Sequence, residues 1–178
     1  MKTLRVSAVL IMVGVAAAAN AQDAISKFFE KYGGDQSFTH VNMSSKMFSL
    51  FTQMEAETDE DKEILNAISR IKGLRILAKE NTRDARALYD EAFTMVPKTY
   101  EELMTVRDKD KDMRFLIKEQ SGKISELVMI MGGNSEFMIL SLFGEIDLKQ
   151  ISRIGRSMDI KGLDNLERME KNDSKSHH

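Results

Sequence analysis

Hydrophobic positions change their spacing once along this chain. Up to Val96 they recur mainly at helical intervals, and from Tyr100 to Phe143 they recur at every second residue or closer. In the first part, Ile25, Phe28, Phe29 and Tyr32 follow an i, i+3, i+4, i+7 pattern that Gly33-Gly34 ends. Phe38 to Met43 reads as a short strand. Met47, Leu50, Phe51 and Met54 predict a second amphipathic helix, and Ile64, Ala67, Ile68 and Ile71 a third, with the acidic run EAETDED between them. Gly73 opens a strand, LRILAKE. Ala85, Leu88, Tyr89, Ala92, Phe93 and Val96 form the clearest helical stripe, with Thr82 placed to cap it and Pro97 to stop it.

The second part carries four segments of strand character, YEELMTVR, MRFLIKEQ, ISELVMIM and EFMILSLF, with charged or glycine-bearing turns between them. Asp147 then caps a last helix bearing Leu148, Ile151 and Ile154, with Gln150 three residues on. The expected fold class is α+β: an antiparallel meander of four strands extended by one or two further strands, LRILAKE and FTHVNM, with amphipathic helices packed on the sheet. A polar tail, residues 167–178, is expected to be disordered.

A sheet with one wet face should alternate, yet the last two strands are apolar at odd and even positions alike. A two-residue Ser121-Gly122 turn would pair positions summing to 243, and a Gly133-Asn134 turn positions summing to 267. Face one then collects Met113, Phe115, Ile117, Ile124, Val128, Ile130, Phe137, Ile139 and Phe143, with cross-strand rows such as Phe115, Val128, Ile139. Face two collects Leu116, Leu127, Met129, Met131, Met138, Leu140 and Leu142, with Arg114 and Lys118 at its margin. Each large side chain is worth about 1.5–3 kcal/mol on burial, so neither set belongs in water. The helices are expected to cover most of both. The softer second face, Leu116, Leu127, Met129, Met138, Leu140 and Leu142, is the candidate apolar interaction face, suited to a homodimer, an envelope protein or an apolar ligand.

The first residues change the expected location. Lys2 and Arg5 precede an uncharged apolar run, Val6 to Ala19, and the triplet Ala19-Asn20-Ala21 follows. Residues 1–21 therefore read as a secretory signal cut before Gln22, leaving a single domain over 22–166 in a periplasmic or secreted protein with no membrane span. The chain has no cysteine, hence neither a disulfide nor a lipid-modified cysteine anchor. Loss of Lys2 and Arg5 moves the formal charge from −2 to −4, against a nucleic-acid partner.

Candidate chemistry is sparse. DKDKD, Asp108 to Asp112, with Glu119 at the twelfth position imitates a calcium loop, but Met113 stands where glycine is needed and Lys109 and Lys111 intrude, so a solvated turn is expected. His40 is the one histidine outside the terminal pair His177 and His178, so no transition-metal cluster, metal site or cofactor is expected. Gly132-Gly133 leads into a strand and lacks a phosphate-loop lysine. Eleven methionines lie beyond residue 21 and are read as core filling. No catalytic residue is assigned.

The segments HVNMSSKMFSLF, GLRILAKE, YEELMTVRD, MRFLIKEQSGKISELVMIMGG and FMILSLFGEIDLKQIS resemble a family of short exported bacterial proteins catalogued as domain of unknown function 4252. The resemblance covers about residues 24 to 166 and implies export and a common fold. It brings no activity, substrate or site residues. The function expected is that of an exported, non-enzymatic binding or interaction protein of a bacterial cell envelope. The alternative is a small periplasmic hydrolase using carboxylates in a pocket, which would need two or more acids to converge.

Overall fold

The computed structural model describes residues 24–53 and 55–157. The elements run α1 (Ala24–Tyr32), β1 (Thr39–Ser44), α2 (Ser45–Phe51), α3 (Asp59–Ser69), β2 (Ile71–Lys79), α4 (Ala85–Thr94), β3 (Glu101–Arg107), β4 (Lys111–Gln120), β5 (Lys123–Gly133), β6 (Phe137–Ile146) and α5 (Leu148–Ser157). The strands form one open antiparallel sheet in the order β1-β2-β6-β5-β4-β3, so the fold is α+β and the four-strand meander is extended by β2 and β1. The leader, the tail and Met54 lie outside the described residues.

Both faces of the sheet are packed, which explains the lost alternation. Ile25 and Phe28 of α1 and Leu88, Tyr89 and Ala92 of α4 pack with Leu77, Leu116, Val128, Ile130, Phe137 and Ile139. Phe28, Phe38, Tyr32 and Phe137 meet ring against ring at 4.8–6.4 Å, giving this layer its aromatic character. Helix α4 lies close to β5 because Gly132 has no side chain: a Cβ there would stand 2.4 Å from Tyr89 Cβ. On the opposite face Phe48 of α2 and Leu148 and Ile151 of α5 pack toward Ile71, Leu74, Phe115, Leu127, Met129, Leu140 and Leu142. The six strand methionines, Met43, Met104, Met113, Met129, Met131 and Met138, all belong to this second layer.

The expected β4–β5 register needs correction. Ser121 and Gly122 do form the turn, both at positive φ (54° and 75°), and Gln120↔Lys123 and Glu119↔Ile124 keep the sum of 243. Ser125 is then an extra residue in β5, with its hydroxyl donating to the Lys118 carbonyl at 2.9 Å, and beyond it the pairs sum to 244, as in Phe115↔Met129. One inserted residue turns β4 over relative to expectation. Leu116 therefore lies with Val128 and Ile130, while Met113, Phe115 and Ile117 join the Leu/Met face, and the row is Phe115, Met129, Leu140. The β5–β6 connection is also longer than two residues, with Gly133 N donating to Glu136 O at 2.7 Å and pairs summing to 269. An even shift from 267 preserves the face of each β5 residue from Glu126 on, whereas Ile124, beyond the bulge, pairs with Ile146 and joins the Leu/Met face.

Two boundaries differ as well. Ile71 begins β2 and does not end the third helix, because α3 stops at its Arg70 cap. Thr82 accepts from Asp84 N at 3.2 Å in the turn before α4, and Asp84 holds the cap position without a side-chain cap bond. Asp147 does cap α5, accepting from Lys149 N and Gln150 N at 3.0 and 3.2 Å.

Candidate functional site

At the sheet end where β2 begins, β6 ends and the β4–β5 hairpin turns lies an open groove of ≈ 630 Å³. Its lining comes from five places in the chain: Ser45, Lys46 and Ser49 of α2; Ser69, Arg70, Ile71 and Lys72 across the α3–β2 junction; Gln120 of β4; Lys123, Ile124 and Ser125 of β5; and Gly144 and Glu145 of β6.

Two strand irregularities shape it. Ile71 pairs with Gly144 and Gly73 with Phe143, which leaves Lys72 as an extra residue in β2. Such bulges bend a strand and re-aim its side chains. This one rests on Gly144, whose φ is +144° and where a Cβ would stand 2.4 Å from the Arg70 carbonyl oxygen and 2.8 Å from Lys72 N. The missing side chain lets the α3–β2 junction close onto β6, and Glu145 N donates to Arg70 O at 3.1 Å. The second irregularity is the Ser125 bulge. Both extra residues, Lys72 and Ser125, line the groove.

The groove is basic although the whole chain carries a formal charge of −2. Among the described lining residues Lys46, Arg70, Lys72 and Lys123 oppose a single carboxylate, Glu145. That carboxylate bridges two of them: Arg70 Nη1 donates to Oε1 at 2.8 Å and Lys123 Nζ to Oε2 at 2.7 Å. The Lys123 hydrogen bond, aided by the charges of Lys123 and Arg70, holds the Glu145 carboxyl below its ordinary value of 4.5. Ser49, Ser69 and Ser125 spend their hydroxyl protons on the carbonyls of Lys46, Asn66 and Lys118. What the groove offers a ligand is therefore chiefly the positive charge of Lys46 and Lys72.

The residues expected to form an apolar interaction face lie elsewhere. Leu127 and Met129 are wholly buried, Leu140 and Leu142 nearly so, and Met138 half-buried, all in the second layer. Leu116 is buried in the first. DKDKD forms the β3–β4 turn: Asp108 accepts from Asp110 N at 2.8 Å, and the Asp112 carboxylate meets Arg86 at 2.8 Å and Arg107 at 3.5 Å. Exposed His40 places Nε2 3.2 Å from the Asp35 carbonyl.

A second polar cluster, which alternation alone could not reveal, lies beneath the first layer. Glu126 is buried and accepts from Tyr100 Oη and Ser141 Oγ, each at 2.6 Å. Arg75 faces Ser141 across the ladder, with its guanidinium 4.8 Å from the Phe29 ring centroid and 5.6 Å from that of Phe143. Glu126 and Ser141 in this track are buried, and Arg75 is half-buried.

The model of a family described as Domain of unknown function (DUF4252) matches residues 32–154, more than half of the chain. No curated protein and no solved structure matches it.

Proposed function

The chain belongs to that family, whose description assigns no activity, and we propose that it is an exported, non-enzymatic binding protein of a bacterial cell envelope with the basic groove as its binding site. Export is supported by the Lys2/Arg5, Val6–Ala19 and Ala19-Asn20-Ala21 pattern. Among the described residues no helix is long and apolar enough to cross a membrane. The observation that carries the binding reading is the chemistry of the groove's lining. Its one carboxylate is committed to two cations, whereas general acid–base or two-carboxylate hydrolysis needs a second titratable group facing the first. A groove with a single, committed carboxylate among its described lining residues supports holding a ligand over two-carboxylate cleavage of it.

The test is native mass spectrometry of the protein recovered from its own envelope, alongside assays with ester, glycoside and phosphoester substrates. A retained small molecule, no turnover, and a sequenced N-terminus at or within a few residues of Gln22 are expected. Turnover lost in Glu145→Gln would overturn the binding reading in favour of a hydrolase.

A second use, self-association, is favoured by a different surface. Val41, Met47 and Leu50 are 37%, 44% and 49% exposed, α2 buries none of its residues, and β1 is an edge strand without a charged residue. Sedimentation should then show a dimer that Leu50→Lys dissociates.

A further inference from the structure

Resting on the reading of the groove as a binding site, we propose that its ligand is a soluble phosphorylated small molecule whose phosphoryl dianion sits between the Lys46 and Lys72 ammonium groups. Four cations line the groove, and Glu145 already neutralises part of the charge of two of them, Arg70 and Lys123. Among the described residues neither Lys46 nor Lys72 has an ion pair or side-chain hydrogen bond on its ammonium. Two unpaired monocations match the charge of one dianion, while a monocarboxylate that bridged both would leave one positive charge unneutralised.

The Ser45 hydroxyl and Gln120 amide, likewise without hydrogen-bond partners among the described residues, add neutral donors for the remaining phosphoryl oxygens. Glu145 shows that this end of the sheet already chelates an oxyanion, each oxygen taking one cation within 2.8 Å. The Lys72 bulge, built on the missing Gly144 side chain, is a backbone device that brings one of the two unpaired cations to the groove.

A soluble ligand is favoured over a phospholipid headgroup by the lining. Ile71 and Ile124 are the only apolar side chains larger than glycine among its described lining residues, too few to make a continuous wall for an acyl chain, and ≈ 630 Å³ suits a small molecule.

The experiment is calorimetric titration at low salt, with glycerol 3-phosphate, inorganic phosphate, acetate and phosphatidic-acid vesicles as probes. Glycerol 3-phosphate should bind at least about tenfold more tightly than acetate, since it brings a second negative charge and a third terminal oxygen to the two ammonium groups. Its affinity should rise as the pH passes about 6, where a phosphomonoester loses its second proton. The charged groups lining the groove are Lys46, Arg70, Lys72, Lys123 and Glu145, and the Glu145 carboxyl, held below its ordinary value by Lys123 and Arg70, does not compete with that transition. Lys46→Ala and Lys72→Ala should each weaken binding about tenfold or more with unchanged melting curves, and Glu145→Gln should strengthen it by removing a like charge. Lys98→Ala, at an exposed lysine outside the groove, should change nothing.

No binding of either phosphate probe, binding indifferent to Lys46 and Lys72, or binding to vesicles alone overturns the proposal. The two readings fail differently. If the protein from the envelope holds a phosphate-free molecule that both lysine variants lose, the phosphoryl class falls and the groove stands. If both variants retain that molecule, the groove reading falls too.

Discussion

Replacing Met129 with lysine tests whether the Leu/Met face is sealed by the protein itself. Met129 has no exposed surface and sits in β5 between Phe115 and Leu140, which are 0% and 1% exposed. The change removes a buried side chain worth about 1.5–3 kcal/mol. It also asks an ammonium group to enter a layer of Ile, Leu, Met and Phe, at a further cost of several kcal/mol. The sum, at least about 4 kcal/mol, is a large part of the roughly 5–15 kcal/mol that holds a domain together. At about 2–4 °C per kcal/mol for a chain of this size, the melting temperature should fall by about 8–16 °C or more. Met129→Leu, which nearly conserves volume, should cost less than about 1.5 kcal/mol. Thermal unfolding by circular dichroism of the chain lacking residues 1–21 is the assay. A lysine variant that melts within about 3 °C of the parent would refute the reasoning and return this face to the list of open surfaces.

Other substitutions probe separate parts of the account. Tyr100→Phe leaves a buried Glu126 oxygen without its hydroxyl donor and should cost about 1–3 kcal/mol in urea unfolding. Gly132→Ala puts a methyl group 2.4 Å from Tyr89 Cβ and should cost about 1–3 kcal/mol, with near-ultraviolet circular dichroism reporting the displaced ring. The Glu91 carboxyl is held below 4.5 by hydrogen bonds from Lys31 and, after it, from Tyr32. A carboxyl lowered on folding adds stability above its unfolded value and loses it as pH falls through the folded one. Glu91→Gln should therefore lower the melting temperature slightly at pH 7 and flatten its decline below about pH 4.5.

Most of the elements and the dual packing of the sheet could be read from residue spacing, because periodicity reports which side of an element meets the core. Alternation lost in VMIM and FMILSLF meant cover on both faces, by the chain's own helices or by a partner, and in the structure the chain's own helices pack on both. Register was less accessible. The Ser121-Gly122 turn was identifiable from its residues, but the Ser125 bulge three residues later has no such signature, and it carried Leu116 to the wrong face and Phe115 with it. An error in the length of the β5–β6 turn did no harm, because its shift was even.

The groove could not be read at all. Its cations come from α2, the α3–β2 junction and β5, and the two bulges that shape it depend on pairing partners far along the chain. The nearest hint was Gly144, a glycine inside an apolar strand, a common mark of a bulge or a close backbone approach. The buried Glu126 was hidden for a related reason: Ser125-Glu126 looks like an ordinary polar interruption until Tyr100 and Ser141 are seen to meet it.

Backbone amide resonances followed during addition of glycerol 3-phosphate test the central claim, that the basic groove is where this protein binds its ligand. Saturable shifts confined to residues 45–49, 69–72, 120–125 and 144–145, and lost in Lys72→Ala, are the predicted result. Shifts centred instead on Val41, Met47 and Leu50 or on Glu126 and Ser141, or no saturable shift at all, would contradict it.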